Sequence, residues 1–458
     1  MYQIDFNSPI HVHFIGIGGI SMSGLAEILL DRGFTVSGSD MKESRLTDSL
    51  IKKGARVAFS QVAENITDDI DLVVYTAAVH KDNPELAAVL SKGIPNLTRA
   101  ELLGQIMKNY ELPVAIAGTH GKTTTTSMVS EILMEAETDP TLTIGGILPS
   151  IGGNIRVGNS KYFVAEACEY TNSFLSFFPK ISMILNIDAD HLDFFKDLAD
   201  IRNSFHRFAL LLPEDGTLII NADIPDLADF TKDLTCRVIS YSNHTEADYT
   251  AKDVTYDAFA HPTFTAVANG KERTLSLGVP GEHNVSNALA ALAFADLCDI
   301  PFEAVSAALA KFNGTDRRFQ KKGEVDGVTI IDDYAHHPTE IAATLKAAKN
   351  YPHKKLWLAF QPHTYTRTKA LLPEFADALS HADHVILADI YAAREKNTIG
   401  ISSQDLQKEI AKRGVPCEYF PTFEEIENFL QKNYAPGDVV ITMGAGNIVD
   451  VGEDLLKK

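Results

Sequence analysis

The chain has 458 residues, more than one hydrophobic core normally serves, so roughly two to four domains are expected. Hydrophobic residues make up 45% and charged residues 22%, a globular mix that argues against extended disorder. Acidic residues outnumber basic ones by 61 to 41, and no long run of Lys and Arg offsets the net charge of −20. That balance argues against a nucleic-acid partner but leaves room for a small nucleotide, which needs only local donors.

Taken in chain order, short apolar runs alternate with helical-period segments, the pattern of α/β layers on mostly parallel sheets. Met1 to Pro9 lacks the charged and apolar regions of a signal peptide. The first unit is a strand at His11–Ile15, a glycine-rich turn, and an amphipathic stretch from Ser21 to Asp31. Its loop carries Gly16, Gly18, Gly19 and Ser21, with Asp40 after the next strand at Phe34–Ser37. A strand-to-helix turn of this kind holds phosphate on backbone N–H groups, and an acid at that distance can bond a ribose hydroxyl. By itself the loop fits UDP, a dinucleotide or an ordinary tight turn, since Ser21 replaces the third glycine of the dinucleotide pattern.

After a strand at Asp71–Tyr75 and a break around Tyr110–Pro113, a strand at Pro113–Ala117 runs into Gly118-Thr119-His120-Gly121-Lys122-Thr123-Thr124. Here glycines let the backbone close on an anion, Lys122 can reach the outer phosphates, and Thr123 can ligate Mg²⁺. Ile116 stands where a strict Walker loop has its first glycine. Strands at Tyr162–Ala165 and Ile181–Ile187 follow, with Glu166 ending the first and His191 following the second. Acidic and imidazole groups at the carboxyl ends of parallel strands can share a metal with bound phosphates.

The segment Ala247–Leu277 reads as antiparallel hairpins, and a boundary is expected near Phe312–Phe319. Strands at Val328–Ile331, Lys355–Phe360, His384–Ala388 and Asp438–Thr442 predict a further α/β domain. The domains are therefore expected at 1–110, 111–314 and 315–458. Cys168, Cys236, Cys298 and Cys417 lie far apart, which suits a reducing compartment and no zinc ribbon. With no apolar run of about 18 residues, no membrane insertion is expected and the cytoplasm is the expected location. Monomer and homodimer both remain open.

In order and context, Gly118–Thr125, Glu166, Asp188–Asp193, Gly281–Asn287 and Asp332–Glu340 resemble the motifs of the Mur ligases. The forms of Gly16–Gly24 and Phe360–Arg367 are similar to those of the L-alanine-adding branch, and the resemblance spans essentially the whole chain. It implies a Rossmann-like UDP-binding domain, a central P-loop-type ATPase domain and a Rossmann-like C-terminal domain. The implied reaction joins L-alanine to UDP-N-acetylmuramate, with ATP and Mg²⁺, through an acyl phosphate.

By the same resemblance, Lys122, Glu166, His191 and His336 are expected to be catalytic, and Thr123, Glu166 and His191 to hold metal. Asn284, Asn287, Asp333 and either Arg317 or Arg318 are expected at ATP, and Tyr334, His336 and Arg367 at the amino acid. Arg99 is expected to touch the UDP substrate. Two departures stand out. Many family members carry a carbamylated lysine where this chain has His206-Arg207, and Thr364 replaces an arginine common in the L-alanine-adding branch.

Overall fold

The computed structural model describes residues 2–76, 78–393 and 395–457. It forms three successive sheets, each built from a contiguous part of the chain. In the first, five parallel strands lie in the spatial order Arg56–Ala58, Thr35–Ser39, His11–Ile15, Leu72–Tyr75 and Asn96–Thr98. The order reverses direction beside His11–Ile15, which sets the glycine loop after that strand at the sheet's switch point.

The second sheet has ten strands. Its centre runs Thr217–Asn221, Ile181–Ile184, Leu112–Ala117 and Tyr162–Ala167, all parallel. At one edge Tyr249–Tyr256, Pro262–Ala268 and Lys271–Ser276 pair antiparallel, as the polar/apolar alternation of Ala247–Leu277 predicts. The third sheet has six strands, five parallel and one antiparallel at the edge, Gln320–Val325.

Several predicted strand ends shift, two of them beside the phosphate loop. Tyr162–Ala167 extends beyond Ala165, so Glu166 lies inside the strand rather than after it. The strand predicted over Ile181–Ile187 stops at Ile184, because Asn186 leaves the ladder to bond the phosphate loop.

The two domain junctions differ in chemistry. One buried apolar cluster runs without interruption from Val12, Phe14 and Leu102 of the first sheet's layer to Phe163, Phe174 and Phe205 of the second. The backbones there come so close that a Cβ on Gly104 would sit 1.9 Å from the carbonyl of Ser176. The third domain instead keeps its buried apolar clusters to itself, on the two faces of its own sheet. Its junction with the middle domain carries a dense set of polar contacts.

Candidate active site

The strand Leu112–Ala117 turns through Gly118–Gly121 into the helix Lys122–Glu135. Gly121 has φ +81°, and a Cβ there would lie 3.0 Å from Asn287 Oδ1, so both backbone and space require glycine. Lys122 Nζ donates to Glu169 at 3.0 Å and to the carbonyl of Thr119 at 3.1 Å. Burial opposes its charge, but Glu169 beside it holds the ammonium well above its ordinary pKa. Thr123 Oγ1 donates to Glu166 Oε2 at 2.9 Å, and the same oxygen accepts from Gly145 N. A hydroxyl and a carboxylate side by side at a phosphate loop are the hard oxygen donors Mg²⁺ prefers. His191, with φ +52°, lies against the Tyr170 ring at a tilt of 36° and brings Nε2 to 3.9 Å from Glu169.

The loop is zipped to the segment that follows Ile184. Thr119 N donates to Asn186 O, His120 N donates to Asn186 Oδ1 at 2.8 Å, and Asp188 N donates to Thr119 Oγ1 at 2.9 Å. On either side of this segment lies a cavity, both shared with the third domain.

The larger, about 590 Å³, is lined by Gly121, Thr124, Asn284, Asn287, Arg318 and Asp333 among others. Asn284 Nδ2 donates to Pro280 O and Asn287 Nδ2 to Asn284 Oδ1, so these asparagines brace the helix start while facing the cavity. The arginine pair separates cleanly. Arg317 bonds Asp332 and the carbonyls of Gly444 and Gly446 within its own domain, whereas Arg318 faces the cavity. Burial pushes the nearby Asp333 carboxyl up to about 6.

The smaller cavity, about 370 Å³, is lined by Tyr170, Asp190, His191, His363, Thr364 and Arg367 among others. Arg367 donates from Nε (3.0 Å) and Nη2 (2.9 Å) to Asp190 Oδ1, and its Nη1 meets His363 Nδ1 at 3.1 Å. Burial, reinforced by Arg367, pulls the His363 imidazole down to about 4, so it is neutral near pH 7. Thr364 lies on the rim with φ +67° and ψ +144°, a region few non-glycine residues occupy.

Tyr334 and His336, expected beside Arg367, stand behind this cavity rather than in its wall. The His336 ring is 5.6 Å from that of His363, and Tyr334 lies under the guanidinium groups of Arg317 and Arg318. Burial holds His336 at about 4.

In the first domain, Gly19 caps the helix Ile20–Asp31, which places Ser21 in its exposed first turn. Asp40 Oδ2 accepts from Gly18 N and Oδ1 from Met41 N, so the acid closes the loop that Gly16 opens with φ +82°. Arg99 opens the helix Arg99–Met107, where burial lowers its pKa.

Several residues that shape the site were not singled out from the sequence: Glu169, Asp190, His337, Glu340 and His363. The sequence signal for Glu169 was its place three residues after Glu166. The others lay inside motifs already in view, with nothing to show what each one faces.

A three-sheet chain with a phosphate loop on one cavity and a second cavity beside it defines a nucleotide-using enzyme of more than one substrate. Comparison with known proteins narrows this. The descriptions "Mur ligase family, catalytic domain", "Mur ligase middle domain" and "Mur ligase, glutamate ligase domain" match residues 11–111, 116–295 and 317–446. The chain belongs to the Mur ligase family, whose members are ATP-dependent amide-forming enzymes. It is 61% identical over 459 residues to the UDP-N-acetylmuramate–L-alanine ligase of Agathobacter rectalis, covering 100% of each chain. The enzyme of the same name from Lachnospira eligens is also 61% identical, again with 100% of each chain covered. Among solved structures, the UDP-N-acetylmuramate-alanine ligase of Thermotoga maritima superposes with a TM-score of 0.80 at 29% identity, covering 98% of each chain. A murein peptide ligase of Psychrobacter arcticus gives 0.70 at 25% identity, also with 98% of each covered.

Proposed function

We propose that this chain joins L-alanine to the lactyl carboxylate of UDP-N-acetylmuramate in peptidoglycan synthesis, converting ATP to ADP and phosphate. The observation that carries this reading is a phosphate loop that opens on the larger of two cavities, with the segment Asp188–Asp190 dividing that cavity from the smaller one. The larger accommodates a nucleotide against Asn284, Asn287, Arg318 and Asp333. The smaller offers the Arg367 guanidinium to the carboxylate of a small amino acid. Full-length identity to L-alanine ligases supports that choice of nucleophile.

A carboxylate is a poor electrophile, so the first step transfers the γ-phosphoryl group to the lactyl oxygen. Lys122 and the backbone of Gly118–Thr124 hold the phosphates in line and offset their charge. Thr123 and Glu166, with His191 nearby, would hold Mg²⁺, which would neutralise phosphate charge. The amine then attacks the acyl phosphate, and the tetrahedral intermediate collapses to amide and phosphate. The first domain presents Gly16–Ser21, Asp40 and Arg99 to the UDP-sugar. The cytoplasm, where ATP and nucleotide sugars are found, is the proposed location; among the described residues no helix is long and apolar enough to cross a membrane.

Phosphate release by the full chain, measured with ATP, Mg²⁺, UDP-N-acetylmuramate and one nucleophile at a time, tests the reading. Turnover should require both the sugar nucleotide and L-alanine and should vanish in Lys122→Ala. Turnover with a peptide but not with alanine would overturn the choice of nucleophile.

A further inference from the structure

Among the described residues the third domain shares no buried apolar cluster with the middle one, yet it grips three consecutive residues of the segment between the cavities. Thr339 Oγ1 donates to Asp188 Oδ2 at 2.7 Å, His337 Nε2 meets Ala189 O at 3.1 Å, and Arg367 holds Asp190. The fourth contact reaches the phosphate loop itself. His120 places Nε2 3.2 Å from Asp188 Oδ2 and Nδ1 3.2 Å from Glu340 Oε1. One imidazole thus bridges a carboxylate of its own domain and one from the third domain.

We propose that His120 and Glu340 are positioning residues that fix the phosphate loop in its working geometry only when the third domain has closed. The inference rests on the ligase reading above and adds the device that makes closure and phosphoryl transfer one event.

The chemistry of the cluster favours this clasp over its alternative, a metal site. His120, Asp188 and His337 do bring three ligand atoms within 4.8 Å of one another. But His337 Nδ1 already accepts from Thr339 N, and its Nε2 already faces Ala189 O, which leaves neither nitrogen free for a metal. His120 likewise spends both nitrogens on carboxylates, which suits a protonated ring with two donors. Burial works against that charge, yet the bonds to Asp188 and Glu340 hold the imidazole up at about 9. The groups facing His120 are Asp188, Glu340 and His337, and those facing Glu340 also include His336, His283 and Arg318. The main chain of His120 is tied to Asn186 at both N and O, so the loop is joined to the same segment that Thr339 and His337 of the third domain grip.

The test compares the full-length wild type with His120→Ala, Glu340→Gln and the double variant, using ATP, Mg²⁺, UDP-N-acetylmuramate and L-alanine. Each single change should lower kcat roughly tenfold or more while the KM for ATP moves less than about threefold, and the double variant should be no slower than the worse single. Thr339→Val, which leaves the loop side chain intact, should lower kcat in the same direction. In solution scattering, ATP and Mg²⁺ should compact the wild type more than Glu340→Gln. Multiplying losses in the double variant, or a loss confined to the KM for ATP, would overturn the clasp. A wild type that compacts with ATP but ligates nothing would overturn the ligase reading and leave the clasp standing.

Discussion

Neighbouring arginines in this chain do opposite work. Arg317 neutralises Asp332, which is fully buried, and ties down the carbonyls of Gly444 and Gly446. Removing it leaves a buried carboxylate without its cation, a change that typically costs about 3–5 kcal/mol. Arg317→Ala should therefore lower the melting temperature of the third domain. Arg318 faces the Asp333 and Glu340 carboxyls without a direct bond to either among the described residues, so Arg318→Ala should lower that temperature less and raise the KM for ATP. Equal melting points for the two variants would show that their roles have been assigned wrongly. Arg367 calls for a finer distinction, because Asp190 already occupies its Nε edge. An incoming carboxylate then meets a guanidinium whose orientation is fixed. Arg367→Ala should raise the KM for L-alanine far more than that for ATP, and Arg367→Lys should not restore it, since an ammonium cannot serve Asp190 and substrate in the same fork. An unchanged alanine KM in Arg367→Ala would remove this residue from the substrate site.

At the scale of elements, the phosphate loop depends on backbone shape as much as on Lys122. Gly121→Ala places a Cβ at φ +81° and 3.0 Å from Asn287 Oδ1, so it disturbs the loop and the asparagine together. ATP binding by calorimetry should weaken at least tenfold, in keeping with a strain of about 1–3 kcal/mol at a non-glycine left-handed residue. This loop was legible in the sequence because strand, glycine turn and helix start are consecutive, so local rules suffice. Asn186–Asp190 was not, although Asp188–Asp193 was in view as a motif. Its apolar lead-in reads as strand through Ile187, and what ends the strand at Ile184 is a bond from Asn186 to a loop 66 residues earlier. Thr339 and Asp188 are 151 residues apart, a distance over which periodicity carries no information. For the same reason the sequence left the two arginines undivided, while the three sheets, set by local alternation of strand and helix, were readable in advance.

For the whole molecule, the contrast between the junctions sets what can move. The first two domains share an apolar core and form one body, whereas the third meets them through polar contacts, the kind of interface that permits relative motion. Titratable groups concentrate at that junction, so its integrity depends on pH. Burial depresses His283 and His336 to about 4, and burial with Arg367 does the same to His363. A histidine whose folded pKa is lowered contributes stability that is complete above its unfolded value, near 6.5, and is lost as pH falls towards 4. His120 has the opposite sign: raised to about 9 against burial by Asp188 and Glu340, it contributes fully below 6.5, and its share is lost as pH rises through 9. Urea midpoints should therefore fall from pH 6.5 to 4.5, each neutral buried histidine adding up to about 1.4 kcal/mol per pH unit. Asp333 partly offsets that fall, because its raised carboxyl favours the folded state as it takes up its proton. His336→Gln should make that slope shallower and leave the alkaline side unchanged, while Glu340→Gln, which leaves Asp188 as the remaining carboxylate on His120, should move the alkaline decline to lower pH. A His336→Gln slope equal to that of the wild type would mean that His336 is already charged in the closed enzyme and joins His120 and Arg318 as a cationic partner of Glu340.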